Sequence, residues 1–209
     1  MKRTRIKICG ITRVADAEHV VAAGADAIGL VFYEASPRNV DLQQAKLIAR
    51  SIPGFVTVVG LFVDPTADFV RRVCEEVPLE LLQFHGNEDN DFCRSFGRRF
   101  IKAIRVKPDV SLEETVAGYP DASGILLDTY VSGTPGGTGL AFDWSLIPAN
   151  LQAPLILAGG LNRDNVAQAV GQVRPYAVDV SGGVEASKGI KDPSKIFDFV
   201  SEVRRGDSI

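Results

Sequence analysis

The chain has 209 residues, of which 45% are hydrophobic, and it carries a formal net charge of −3 at pH 7. This length favours one domain over two, and the apolar content, with 11 phenylalanines, is enough for a substantial core. The slight acidity gives no general attraction to nucleic acid or to an anionic membrane surface, so we expect neither as a partner. Any anion that the protein binds must therefore be bound by local groups.

The cysteines and histidines restrict the kinds of site that the chain can form. Cys9, Cys74 and Cys93 are an odd set without CxxC spacing, which predicts neither a disulfide framework nor a zinc site. Only His19 and His85 are available, so a histidine-rich metal centre is excluded. Free thiols favour a reducing cytoplasm, and the basic N-terminus lacks the apolar run of a signal peptide. No apolar segment is long enough to cross a bilayer.

Strand-like and helix-like segments alternate along the chain. The first strand covers 5–8, with Cys9 at its carboxyl-terminal tip; Gly10 breaks the run, and Thr12 is the expected N-cap of the next helix. The other predicted strands cover 26–32, 55–63, 79–84, 100–106, 124–128, 154–158 and 176–180. The predicted helices cover 14–23, 42–51 behind the cap Asp41, 67–76, 89–96, 112–116, a short turn around Trp144, a segment from the cap Asn162 to 170, and 193–203.

This alternation predicts the fold class. Apolar strands with interleaved helices indicate a parallel sheet that is buried on both faces. Eight such units in this length most simply close into a single-domain α/β protein, a (β/α)8 or TIM barrel, and an open doubly wound sheet is the alternative. The longest irregular stretch, 129–140, is rich in glycine and could close over a ligand or serve only as a connection.

Polar and glycine-rich segments lie at the predicted strand tips, which all face one mouth of such a barrel. Gly159-Gly160 and Ser181-Gly182-Gly183 end the last two strands and predict a phosphate site, assisted by a short helix starting near Val184. Two glycine pairs at adjacent loops are a stronger signal than one, since a lone pair is usually a turn.

Charged and polar side chains at other tips are further candidates. Asp128 ends the sixth strand and is followed by a loop, which favours an acid–base role over a helix cap. Arg38 is either a solvated charge or a fork for a carboxylate. Period-two alternation places Gln83 beside His85, and Asp179 beside Ser181. Lys7 and Lys102 lie within strands, which favours structural ion pairs over Schiff-base chemistry.

Several short segments, distributed across nearly the whole chain, carry a more specific signal. They are Lys7-Ile8-Cys9-Gly10-Ile11-Thr12, Ser36-Pro37-Arg38, Leu82-Gln83-Phe84-His85-Gly86, Leu127-Asp128, Gly136-Gly137-Thr138-Gly139 with Phe142-Asp143-Trp144, Leu157-Ala158-Gly159-Gly160-Leu161 and Asp179-Val180-Ser181-Gly182-Gly183-Val184-Glu185. Together, and in this order, they resemble the phosphoribosylanthranilate isomerase family of tryptophan biosynthesis. Two positions depart from the family's pattern: Gly182 stands where a second serine is frequent, and Phe84 where leucine is usual.

The resemblance implies an Amadori rearrangement of N-(5-phosphoribosyl)anthranilate to the carboxyphenylamino-deoxyribulose 5-phosphate. It implies that Cys9 is the general base, that Asp128 is the general acid and that Arg38 holds the anthranilate carboxylate. No cofactor or metal is expected, because the iminium formed on ring opening is itself the electron sink. The sequence leaves a monomer and a homodimer equally open. The remaining implied residues are Gln83, His85 and Asp179 for the substrate, and Gly159, Gly160, Ser181, Gly182 and Gly183 for its phosphate.

Other classes of protein remain as alternatives. A pentose-phosphate epimerase would need metal-binding histidines, and an indole-glycerol-phosphate synthase would need lysines at strand tips. The related isomerase of histidine synthesis would need two carboxylates as acid–base residues, and Cys9 at the first strand argues against it. A phosphate-binding barrel that senses a metabolite without turning it over is the alternative outside enzymes. We also expect Lys7, on the same strand side as Cys9, to stabilise the thiolate.

Overall fold

A closed parallel barrel forms the centre of the computed structural model, which describes residues 3–106, 111–129, 144–148, 151 and 153–209. Its eight strands follow one another around the barrel in chain order. The first and last strands close it, with Arg5 beside Ala177 and Ile8 beside Val180 in parallel register. The (β/α)8 prediction is therefore confirmed over the open sheet, whereas the single-domain boundary stays a prediction.

The observed strands lie within or close to the predicted ones. Residues that point outward meet the helices, and those that point inward fill the barrel. The strands are β1 Arg5–Cys9, β2 Ala27–Phe32, β3 Thr57–Phe62, β4 Leu81–Phe84, β5 Phe100–Val106, β6 Gly124–Thr129, β7 Leu155–Leu157 and β8 Ala177–Val180. A small antiparallel pair that was not predicted follows, β9 Glu185–Ser187 and β10 Ile190–Lys191.

The helices follow local capping signals in most places. Asp41 accepts a hydrogen bond from the Gln44 N–H, as predicted, and Gly24 ends the first helix in a left-handed conformation with φ of 82°. The helices are α1 Val14–Ala23, α2 Leu42–Ser51, α3 Ala67–Glu76, α4 Asn90–Arg94, α5 Leu112–Ala117, α6 Val166–Val173 and α7 Pro193–Gly206. The short turn predicted around Trp144 is a 3₁₀ helix, Trp144–Leu146.

Three local predictions are wrong. Arg13, not Thr12, occupies the N-cap position of α1, and the Thr12 hydroxyl donates instead to the Gly189 carbonyl. Helix α6 starts at Val166, because Asn162 closes a turn one step earlier by donating its N–H to Asn165 Oδ1. The short helix expected to start near Val184 is a 3₁₀ helix, Gly182–Val184, which ends there instead.

The core consists of two layers, one between strands and helices and one inside the barrel. Phe84 belongs to the outer layer, is fully buried, and packs its ring 5.8–6.2 Å from four neighbouring phenylalanine rings. Its departure from the family's leucine is therefore a change in core packing on the outer side of β4. The barrel interior is closed below the mouth by small and aliphatic side chains: Ile101, Ala103, Leu126, Ile156, Ala158 and Ala177.

Two further predictions concern the stretch 129–140 and the expected lack of a membrane-spanning segment. The glycine-rich stretch 129–140 lies outside the described residues, except that Thr129 ends β6. Within the described ranges, no helix has the length and apolar character needed to span a membrane.

Candidate active site

A cavity of about 500 Å³ opens at the carboxyl ends of the strands. This volume is typical of sites for small molecules, and the position is where (β/α)8 barrels carry their chemistry. Every site residue predicted from the sequence lines it: Cys9, Arg38, Gln83, His85, Asp128, Gly159, Gly160, Asp179, Ser181, Gly182 and Gly183. The fold thus brings together residues that are up to 174 positions apart in the chain, from 9 to 183.

Cys9 lies at the tip of β1, next to Gly29 of β2 in the parallel register. A Cβ atom on Gly29 would lie 2.7 Å from the Cys9 sulfur and 3.2 Å from the Lys7 ammonium nitrogen. Glycine at this position therefore makes the space that both side chains occupy. The Cys9 side chain packs against Val31 and Leu61 and is only 6% exposed.

Lys7 lies one step below Cys9 on the inner face of β1. Its Nζ is 2.9 Å from Asp179 Oδ1, and both side chains are buried, which bears out the expected structural ion pair. Burial raises the pKa of the Cys9 thiol, while the positive charges of Lys7 and Lys191 act to lower it. Burial also opposes the charge on Lys7, but Asp179 and Cys9 outweigh it and raise the Lys7 pKa.

Asp128, at the end of β6, is buried in the opposite part of the wall. Its Oδ2 lies 3.3 Å from His85 Nε2. The other ring nitrogen, Nδ1, lies 3.4 Å from Gln83 Nε2, as expected for residues that share one side of β4. The two ring nitrogens of His85 thus face two polar groups of the wall, the Gln83 amide and the Asp128 carboxyl group.

The two glycine-rich loops meet backbone to backbone. Gly159 and Gly160 have φ of 81° and 65°, which only glycine adopts readily. A Cβ atom on Gly183 would lie 2.0 Å from the Leu161 carbonyl oxygen, so the loops after β7 and β8 are in direct contact there. The turn that starts at Gly182 is not capped by the Ser181 side chain, which suits an anion at its N-terminal end.

Arg38, in the loop after β2, forms a forked hydrogen bond with a carboxylate of the protein itself. Its Nε and Nη2 donate to the two oxygens of Glu185, at 2.7 and 2.8 Å. Gly10 leaves room for this arrangement, since a Cβ there would lie 2.5 Å from Arg38 Cδ. A ligand carboxylate would therefore meet Nη1 and the second hydrogen of Nη2. Although burial opposes it, the Arg38 and Lys191 charges lower the pKa of Glu185.

The sequence interpretation missed several residues of the wall. Arg105 lines the cavity, lies beside Asp128 in the register of β5 and β6, and donates weakly to the His85 carbonyl at 3.4 Å. Its buried Nε has no hydrogen-bond partner among the described residues. Period-two alternation from Ala103 in β5 could have placed Arg105 inside. An apolar part of the wall was missed as well: Val31, Tyr33, Leu61 and Val63.

Over the described ranges, His, Cys, Asp and Glu side chains form no group of three or more that could hold a metal ion.

The fold and the position of this cavity define the class of protein: a (β/α)8-barrel enzyme with its site at the carboxyl-terminal face. Comparison with known proteins narrows the class. The family model for N-(5'phosphoribosyl)anthranilate (PRA) isomerase matches residues 6–202. The chain therefore belongs to the PRA isomerase family and is an isomerase of tryptophan biosynthesis.

Individual relatives agree over nearly the whole length. The N-(5'-phosphoribosyl)anthranilate isomerase of Pseudomonas aeruginosa is 60% identical over 204 residues, covering 98% of this chain and 97% of that protein. The crystal structure of the enzyme from Thermotoga maritima is 40% identical, with a TM-score of 0.89, and the match covers 96% of this chain and 98% of that one. A phosphoribosyl anthranilate isomerase solved with reduced 1-(o-carboxyphenylamino)-1-deoxyribulose 5-phosphate is 40% identical, with a TM-score of 0.86 and the same coverage.

Proposed function

We propose that the protein converts N-(5-phosphoribosyl)anthranilate to 1-(2-carboxyphenylamino)-1-deoxy-D-ribulose 5-phosphate, with Cys9 as general base and Asp128 as general acid. The observation that carries this assignment is that both side chains line one cavity, which is large enough for such a substrate. The related enzyme solved with the reduced product supports the substrate class.

Asp128 starts the reaction by protonating the furanose ring oxygen. The C1–O4 bond breaks, and the nitrogen lone pair forms an iminium at C1. Asp128 Oδ2 lies 3.3 Å from Nε2 of His85, which follows β4, two strands away around the barrel. Because the carboxyl group sits at the end of a strand rather than on a long loop, its position relative to the sugar is fixed before the substrate arrives.

Cys9 then removes the proton from C2 as a thiolate, which gives an enolamine. The enolamine becomes the ketone by losing its O2 proton and gaining one at C1, so the atoms of substrate and product are the same. Burial makes the thiolate a strong base, and Lys7 and Lys191 limit the free-energy cost of forming it. The positive iminium accepts the electron pair, so the chemistry has no step that calls for a cofactor.

Binding at both ends holds the ribose between acid and base. The N–H groups of the two glycine loops and Ser181 take the phosphate, while Nη1 of Arg38 takes the anthranilate carboxylate. The apolar wall described above suits the aromatic ring, and Gln83 and Asp179 face the sugar. The substrate is thus held by its two anionic ends, which turns a bimolecular proton transfer into a positioned one.

The setting of the enzyme is part of the proposal. All three cysteines are unpaired, which supports a reducing, cytoplasmic compartment. A solved relative, 38% identical, is described as generated monomers of the dimeric Thermotoga maritima isomerase, and monomer and homodimer are the two states that the sequence leaves open for this chain.

Turnover is measured directly, because the anthranilate ring of the substrate is fluorescent and its signal decays on conversion. Wild-type protein is expected to turn over the substrate, and Cys9→Ala and Asp128→Ala are each expected to lower kcat by about 10²-fold or more. Cys74→Ser, on α3 outside the cavity, is the matched control and is expected to leave kcat unchanged. Wild-type kcat in either site variant would refute the acid–base assignment, and binding without turnover by the wild type would favour the metabolite-sensing barrel.

A further inference from the structure

Lys191 carries a buried charge that the reaction described above does not use for binding. It lies in β10, and its side chain is 1% exposed. Its Nζ donates to Glu185 Oε1 at 2.9 Å and to the Ser181 carbonyl at 3.0 Å, and it lies 3.4 Å from the Ser181 hydroxyl. Burying an ammonium group this deeply costs free energy unless it is paired with an opposite charge.

Glu185 is the partner that explains this cost. Its Oε1 accepts from both Lys191 Nζ and Arg38 Nε, and its Oε2 accepts from Arg38 Nη2. Without Lys191, the Arg38–Glu185 pair would have no net charge. A ligand carboxylate arriving at Arg38 would then place two anions on one cation in a partly desolvated site, which is unfavourable. With Lys191, the three groups together carry one surplus positive charge.

The hairpin β9–β10 is anchored so that this charge stays in place. The Lys191 N–H donates to Asp16 Oδ2 of α1 at 3.2 Å, and the Lys195 ammonium of α7 donates to the Glu185 carbonyl at 2.7 Å. Lys191 pairs directly with Glu185 in the antiparallel register. The charges of Lys191 and Glu185 therefore face each other across two paired strands, where both residues have fixed backbone positions.

We propose that Lys191 is a specificity-determining positioning residue: by balancing Glu185, it leaves Arg38 with the positive charge that selects a substrate bearing a carboxylate. The inference rests on the proposed function, in which Arg38 receives the anthranilate carboxylate. Glu185 sets the orientation of the guanidinium, and Lys191 restores the charge that this orientation would otherwise cancel. Lys191 acts through Glu185 and Arg38 and does not touch the substrate.

The test compares two substrates, N-(5-phosphoribosyl)anthranilate and its counterpart made from aniline, which lacks the carboxylate. Effects of a variant on Cys9 or on the phosphate loop through Ser181 are common to both substrates and cancel in the ratio of their kcat/KM values. Lys191→Met is expected to lower this ratio by about tenfold, the scale of a charge-assisted hydrogen bond. Lys191→Arg, which keeps the charge, is expected to retain it within about threefold.

The double variant Glu185→Gln with Lys191→Met separates charge balance from simple structural damage. It removes one charge of each sign, so Arg38 again carries the surplus, and the ratio is expected to return to within about threefold of wild type. A structural role predicts the reverse, a double variant at least as impaired as Lys191→Met. A double variant that fails to recover the ratio, or an unchanged ratio in Lys191→Met, would overturn the proposal.

Failure of the proposed function and failure of the Lys191 proposal give different results. Wild-type protein that turns over neither substrate refutes the proposed function, whereas normal wild-type turnover with an unchanged ratio in the variant refutes only the role of Lys191. If Lys191→Met does not fold, the double variant is compared with wild type and with Lys191→Arg, and loss of the ratio in the double variant alone overturns the proposal.

Discussion

Gly183 offers a sharp test of the phosphate site because a single added methyl group meets backbone, not a movable side chain. A Cβ at this position would lie 2.0 Å from the Leu161 carbonyl oxygen and 3.1 Å from the Asn162 Cα. Gly183 does not have a positive φ, unlike Gly159 and Gly160. The effect of Gly183→Ala is therefore steric, and it acts on the contact between the loops after β7 and β8.

The size of the effect follows from that distance. Contacts of a Cβ with other atoms below 3.0 Å essentially do not occur, so a contact at 2.0 Å requires the two loops to separate by about 1 Å. A displacement of about 1 Å in groups that position a substrate can cost about 10²-fold in rate, equivalent to about 3 kcal/mol. We expect the loss mainly in KM, since neither Cys9 nor Asp128 is in this contact.

Gly182→Ala is the matched control. A Cβ at Gly182 lies 3.5 Å from Arg38 Nη2, which is ordinary van der Waals contact, so kcat/KM is expected to stay within about threefold of wild type. The assay combines steady-state fluorescence kinetics, inorganic phosphate affinity by calorimetry and thermal unfolding. Gly183→Ala with wild-type KM and phosphate affinity would refute the proposed phosphate site, and equal losses in both variants would refute the steric account.

Three further variants test charged side chains on strands β1 and β5. In a chain whose other two cysteines are replaced, Lys7→Met is expected to raise the pKa of Cys9 and slow its alkylation by iodoacetamide at pH 8; an unchanged alkylation profile contradicts the thiolate role of Lys7. Arg105→Met is expected to raise KM by about tenfold with little change in melting temperature, because Arg105 lines the cavity, its Nε has no partner among the described residues, and its hydrogen bond to the His85 carbonyl is long, at 3.4 Å; a constant KM in steady-state kinetics would contradict this. Lys102→Met leaves the Glu88 carboxylate buried without the ammonium group that lies 2.7 Å away. The free energy of unfolding, measured by denaturant titration, is therefore expected to fall by about 3–5 kcal/mol. A loss below about 1 kcal/mol argues against that pair as a stabilising contact.

Where the sequence predicted the fold well, the signals were local. Helix α3 matches its predicted bounds, Ala67–Glu76, because the Thr66 hydroxyl caps it and its apolar positions repeat at helical spacing. Strand β5, Phe100–Val106, matches because its apolar run ends at a proline-containing stretch.

The misses have physical causes. Helix α6 was placed too early because Asn162 and Asn165 are both good caps, and only the closed turn between them shows which one starts the helix. The β9–β10 pair was missed because strands this short have no pattern of their own. It is held by tertiary contacts, including those of Glu185 with Arg38 and of the Lys191 N–H with Asp16.

Part of the site was beyond local reasoning for the same reason. Glu185 contacts Arg38 from 147 positions along the chain, so no spacing in the sequence connects them. Arg105 was within reach, since alternation in β5 places it on the inner face with Ala103. The residues at the strand tips could thus be predicted from the sequence, whereas their interaction partners could be identified only from the closed barrel.

The division between strands and loops has a consequence for how the chemistry is protected. Lys7 and Cys9 lie on β1, and Gly29, which makes room for them, lies on the adjacent strand β2 in a register fixed by backbone hydrogen bonds. Asp179, the ion-pair partner of Lys7, lies on β8 on the other side of β1. The thiol and its nearest charges are therefore set by barrel closure itself. In the proposed function, the groups that bind the phosphate and the carboxylate lie instead on loops and on the β9–β10 hairpin. Since a loop can change without shifting strand register, substitutions at Lys191 or Gly183 should alter which ligands bind while leaving the proton-transfer groups in position.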